Sequence, residues 1–123
     1  MSLLKDYPTS NTVYSIDNPG QAWNAITLEA WTDNVQITGP DYRGYHPIAD
    51  VGELSPYSST SQIWDTKKCP IKPEILLDGR NAISDDSSNL SCEALSLLTN
   101  NNDYNKEAFS FINGTSSATA QAS

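Results

Sequence analysis

The residues of this 123-residue chain with the clearest chemical potential lie in its last stretch, Asn113-Gly114-Thr115-Ser116-Ser117-Ala118-Thr119-Ala120-Gln121-Ala122-Ser123. A Gly-Thr turn that delivers a serine into a run of small residues is a way to build an exposed hydroxyl at the first turn of a helix. Gly114 permits close backbone approach or an unusual dihedral. Thr115 and Ser116 suit a helix N-terminus, where unpaired N–H groups could stabilise negative charge beside Ser116. The chemistry open to such a hydroxyl is nucleophilic attack, provided a base activates it. An ordinary capped helix is the plain alternative, and these residues alone favour it.

The elements that would position Ser116 are short strands separated by long loops. Asp17-Asn18-Pro19-Gly20 reads as a turn in which Pro fixes one dihedral and Gly supplies a positive one. Alternation then predicts a strand from about Asn24 to Thr32, and Val35 to Ile37 is a candidate short second strand. Residues 39–56 carry no sustained period and read as a long loop, functional or flexible. Tyr57 to Ser61 reads as an edge or turn-to-strand segment. Ile71 to Gly79 is a short strand stopped by a glycine turn. Residues 83–91 are acidic and serine-rich, Glu93 to Leu98 is a strand or a helical turn, and Asn100 to Asp103 is a turn. Phe109 to Ile112 is an extended run leading into the terminal motif, and a helix beginning near Thr115 has room for about two turns.

Composition narrows the partners. The net charge of −8 disfavours nucleic acid and anionic membrane, and no apolar run approaches membrane-spanning length. Cys69 and Cys92 make no disulfide framework and read as two ordinary thiols in a reduced, cytoplasmic-type compartment. Met1-Ser2-Leu3 resembles an appended start, so the absence of a signal peptide carries no information on location. Hydrophobic residues make up 37% of the chain, low for a self-sufficient globule, while three Trp and six Tyr argue against disorder.

Four blocks resemble the subtilisin-like serine peptidases, the subtilase family. Gly114-Thr115-Ser116-Ser117-Ala118-Thr119-Ala120 is similar to the nucleophile motif Gly-Thr-Ser-x-Ala-x-Pro, with Ala120 where Pro is usual. Pro19-Gly20, followed by Ala25-Ile26-Thr27-Leu28-Glu29-Ala30, is similar to the family's Pro-Gly turn and its Ala-Ile-Thr-Val-Gly-Ala strand, with Glu29 in place of Gly. Leu54 to Ser61 resembles Ser-x-Phe-Ser, and Lys72-Pro73-Glu74-Ile75-Leu76-Leu77-Asp78-Gly79 resembles Lys-Pro-Asp-Val-x-x-Pro-Gly. The blocks occur in the family's order across residues 17 to 122. The resemblance implies an α/β fold, a three-layer α/β/α sandwich on a mainly parallel sheet. The chain would be its C-terminal part, truncated, with the upstream part and the downstream helices absent.

The resemblance also implies roles. Ser116 would be the nucleophile, its backbone N–H one oxyanion donor, and Thr115 a support on the oxyanion side. Asp17, Asn18, Pro19 and Gly20 would border the substrate pocket, with Asn113 and Gly114 also on the substrate side. A carboxylate at Asp17 could favour Lys or Arg in the substrate; a solvated turn aspartate is an equal alternative. His46 lacks the family's histidine context and falls in the wrong order, so it reads as a loop histidine. The triad Asp and His and the oxyanion Asn would lie upstream, which leaves Ser116 unactivated in this chain.

No cofactor is expected. Many subtilases bind calcium, but Asp78, Asp85 and Asp86 fit no ligand loop, and Cys69 and Cys92 have no zinc spacing. Asn89-Leu90-Ser91 and Asn113-Gly114-Thr115 fit the glycosylation pattern, which chance explains. The expected partners are a peptide or protein substrate and the missing upstream half. Because a truncated sheet exposes edges and half a core, the isolated chain is expected to be oligomeric, strand-swapped or partly disordered. Two other readings remain open at this point: a catalytically silent subtilase-like interaction module, and an unrelated binding domain with a chance Gly-Thr-Ser.

Overall fold

The computed structural model describes Tyr7, Thr9, residues 15–61 and residues 67–123. Apart from Tyr7 and Thr9, the reading of residues 1–14 lies outside the described residues. Strand β1 (Leu28–Trp31) pairs in parallel with β3 (Ile75–Asp78), Leu28 opposite Ile75 and Trp31 opposite Asp78. The long connection 32–74 permits that crossover. Helix α1 (Thr115–Gln121) packs on both strands. It presents buried Ser117 and Ala118 to them, small side chains that allow close approach. This is the α/β core of the expected arrangement in partial form.

Elsewhere among the described residues the pairing is antiparallel. Strands β2 (His46–Pro47), β4 (Ile83–Ser84) and β5 (Asn89–Leu90) form one ladder in the order β2-β4-β5. Strands β6 (Leu97–Asn100) and β7 (Phe109–Ile112) form a hairpin. For β4–β5 and β6–β7 the short connections 85–88 and 101–108 impose this direction, since parallel neighbours need a crossover of a dozen residues or more, whereas the long connection 48–82 between β2 and β4 does not dictate it. A 3-10 turn at Glu93–Leu95 precedes β6, so the 93–98 segment is both of its expected alternatives in succession. Ile83, Cys92 and Leu95, all fully buried, form a small core, with Ile37, Tyr42, Tyr45 and Ala94 packed around it.

Several expectations are corrected. Val35 to Ile37 forms no strand; the Asn34 side chain accepts from Gln36 N at 2.9 Å and donates to Ala94 O at 3.1 Å, bending the chain so that Ile37 joins the core. Tyr57 to Ser61 adds no strand either. Ser58 Oγ instead accepts from Ala30 N at 2.8 Å and donates to Ala30 O at 2.6 Å, replacing a ladder rung by a hydroxyl. Residues 53–55 do meet β1, through Thr32 N to Glu53 O and Ser55 N to Ala30 O, both 2.9 Å. β1 begins later than Asn24 because the Thr27 N–H is taken by the Glu74 carboxylate at 2.8 Å. Gly20 does not adopt a positive φ; its requirement is steric, since a Cβ there would lie 2.7 Å from Ile16 Cγ2.

Candidate functional site around Ser116

The serine turn is built at the C-terminal end of the parallel pair. Gly79, just past β3, donates its N–H to Trp31 O at 3.1 Å and accepts the Gly114 N–H at 2.9 Å. The three backbones are so close that a Cβ on Gly79 would lie 2.1 Å from Ala30 Cβ and 3.1 Å from Gly114 O. Only glycine fits there. Gly114 has φ 99° and ψ 179°, a conformation that side chains rarely adopt. It turns β7 into α1 within two residues, and Ser116 emerges exposed in the first helical turn.

The first turn is unusual in its capping. No side chain caps it from Gly114; Ser117 Oγ folds back and donates to Gly114 O at 2.6 Å, alongside Ser117 N at 3.2 Å. Among the described residues, neither the Ser116 hydroxyl nor the Thr115 and Ser116 backbone N–H groups find a hydrogen-bond partner. At the other end, Gln121 Nε2 donates to Asp78 O at 2.5 Å, fastening α1 to β3. Thr115 is half-buried and its carbonyl accepts from Thr119 Oγ1 at 2.9 Å.

Asn113 extends the site away from α1. Its amide nitrogen stands 3.3 Å from Ser91 Oγ and 3.4 Å from Ser96 Oγ. Ser91 Oγ also lies 3.4 Å from the Tyr57 hydroxyl, and Tyr57 Cβ and Cγ lie 4.0 Å from where a Gly114 side chain would begin. Burial pushes the Tyr57 phenol above its ordinary range, and the Ser91 hydrogen bond works the other way.

Asp17, Asn18 and Pro19 are exposed, in a turn with a cis Asn18–Pro19 bond. Gly20 O accepts from Thr27 Oγ1 at 2.6 Å, which docks that turn against the chain leading into β1. Among the described residues no hydrogen bond joins residues 17–20 to residues 113–116. His46 lies in β2 rather than in a loop, with Nε2 3.5 Å from Asp86 Oδ1. Asp78 pairs with Arg80 at 3.0 Å, while Asp85 accepts the Ser87 and Ser88 N–H groups in the turn that also contains Asp86, so Asp78 serves a different turn from Asp85 and Asp86. Cys92 is buried and Cys69 half-buried, both free thiols.

Sequence reasoning noted Glu29 as a departure from the family strand and Lys72 within a family block, and assigned neither a role. Glu29 is buried in β1, with Oε2 accepting from Ser59 N at 3.4 Å; burial raises its pKa above the ordinary value, against the lowering effect of the Ser59 and Ser58 hydrogen bonds. The Lys72 side chain is fully buried, donating to Ala25 O at 2.6 Å and paired with Glu74. These two border an open cleft of about 730 Å³ lined also by Leu54, Thr60, Ile71 and Leu76, and Ser116 is not part of it.

The subtilase family model matches residues 5–123. The chain belongs to the subtilase family of serine peptidases, a family of hydrolases. That removes the reading of an unrelated domain with a chance Gly-Thr-Ser. Comparison with curated proteins and with solved structures finds no match in either set.

Proposed function

We propose that this chain carries the nucleophile of a subtilisin-like serine endopeptidase, with Ser116 Oγ attacking the scissile carbonyl and the Ser116 N–H donating to the oxyanion. The observation that supports this most directly is the exposed Ser116 on a turn whose glycine is locked to the end of β3. Attack requires a base to accept the hydroxyl proton. His46, the single histidine of the sequence, is engaged with Asp86 in another sheet. The family's motif order implies that the base, its orienting carboxylate and the second oxyanion donor would lie upstream of these residues, and this reading expects the chain alone to be inactive.

The test is hydrolysis of a denatured protein substrate by the chain alone, by the intact protein, and by its Ser116→Ala variant. The reading expects no hydrolysis by the chain alone. It expects activity in the intact protein that falls by at least about 10³-fold in the variant, as loss of a triad nucleophile does. Activity that survives Ser116→Ala would refute the assignment. An intact protein without hydrolysis, but binding a partner through this surface, would establish the silent interaction module instead.

A further inference from the structure

Besides its backbone lock to Gly79, the serine turn is held from the opposite side by two hydroxyls. The Asn113 amide has two N–H donors, and they meet two different serines, Ser91 at 3.3 Å and Ser96 at 3.4 Å. These serines flank the 3-10 turn Glu93–Leu95, whose Leu95 is fully buried beside Cys92 and Ile83. Ser96 Oγ passes its own hydrogen to Cys92 O at 2.8 Å, tying it to that core. Ser91 Oγ meets Tyr57, which packs beside Gly114. Asn113 is thus held by both ends of the 91–96 segment, and Ser91 in turn is held by Tyr57.

We infer that Ser91 and Ser96 are positioning residues for the nucleophile: through Asn113 they fix the Gly114–Ser116 turn, and so the direction of Ser116 Oγ. This rests on Ser116 being the nucleophile. The physical reason lies in the turn itself. Gly114 is the residue with the widest backbone freedom, and one hydrogen bond to Gly79 restrains the turn along a single direction. The two serine contacts, reaching Asn113 from the two sides of the 3-10 turn Glu93–Leu95, restrain rotation about it. Each contact is long and weak, and their value lies in orientation, where a misplacement of about 1 Å can cost about 100-fold in rate.

The experiment uses the intact protein carrying Ser91→Ala, Ser91→Thr, Tyr57→Phe and Ser116→Ala, read by amide hydrogen exchange and by peptide hydrolysis. In Ser91→Ala, the segment 109–118 should exchange about tenfold faster than in the wild type, with β1 and β3 unchanged. In hydrolysis, kcat should fall about tenfold with KM within about twofold, the signature of a lost transition-state alignment. Ser91→Thr, which keeps the hydroxyl, should restore both readouts, and Tyr57→Phe should give a smaller change of the same kind. Unchanged exchange at 109–118, or a loss spread equally over β1 and β3, overturns the inference. Hydrolysis undiminished in Ser116→Ala would instead refute the nucleophile assignment, and the exchange data would still decide whether the clamp exists.

Discussion

Gly79→Ala is the substitution whose effect can be worked most directly from the structure. The added methyl would sit 2.1 Å from Ala30 Cβ, 3.3 Å from Ala30 Cα and 3.1 Å from Gly114 O. Carbon atoms rest at about 3.5–4.0 Å, so β1 and the serine turn must separate by about 1.5 Å locally. Overpacking of this kind costs about 1–3 kcal/mol. The separation also strains two hydrogen bonds that run through Gly79, from Gly79 N to Trp31 O and from Gly114 N to Gly79 O, each worth about 1 kcal/mol net. The expected loss is about 3–5 kcal/mol, a large part of a typical stability of about 5–15 kcal/mol. Urea unfolding of the purified protein, followed by tryptophan fluorescence, measures it. The cause is checked by Ala30→Gly, which removes the partner of the closest clash. The double variant should recover at least about 1.5 kcal/mol relative to the sum of the two singles, a coupling within the range seen for residues in contact. A Gly79→Ala protein within about 0.5 kcal/mol of the wild type, or strictly additive singles, would refute the argument that close approach dictates glycine here.

Glu29 and Glu74 should pull the pH dependence of stability in opposite directions. Burial raises the folded-state pKa of Glu29, so its contribution is present at low pH and is lost as pH rises from its ordinary value of 4.5 through the raised one. The Lys72 hydrogen bond lowers the pKa of Glu74, so its contribution is present above 4.5 and lost as pH falls through the lowered value. Glu29→Gln should therefore raise the urea midpoint at pH 7 relative to wild type, with the gain shrinking toward pH 4; a constant offset would disprove the linkage. Lys72→Met should lower the midpoint at pH 7, because it leaves the Ala25 carbonyl without this donor and removes the hydrogen bond to the exposed Glu74 carboxylate, and a neutral result would show that the buried amine is dispensable. Gly114→Ala should lower stability by about 1–3 kcal/mol, because φ 99° with ψ 179° is a region open essentially to glycine alone, with Tyr57 4.0 Å away as ordinary contact rather than clash, and a larger loss by the same urea assay would point to a clash that these distances do not contain.

The sequence by itself determined the family, the order of its blocks and the identity of the serine. Gly-Thr-Ser, Pro-Gly and Lys-Pro-Glu are local signals, and a turn residue announces itself through its own backbone. Gly114 did so, and its φ is 99°. The same local logic failed at Gly20, where the demand is for space beside Ile16 rather than for a positive dihedral. It also failed at Tyr57 to Ser61, where Ser58 bonds both polar groups of Ala30 and displaces a ladder.

What only the tertiary structure decided is which distant groups converge. The contact between Gly79, Ala30 and Gly114 joins three segments far apart in sequence, and nothing in the spacing of glycines marks it. Asn113 reads in the sequence as part of a motif; of its partners, Ser91 reads as the end of an acidic, serine-rich stretch and Ser96 as part of a strand or helical turn. Glu29 reads as a departure from the family pattern, and its burial against Ser59 appears only when the segment covering β1 is in place. Hydrogen bonding and exclusion of volume act at a few ångströms, and the sequence carries that distance only for neighbours in the chain. The residue proposed to react is therefore legible from its motif, and the residues proposed to aim it are legible only from the fold.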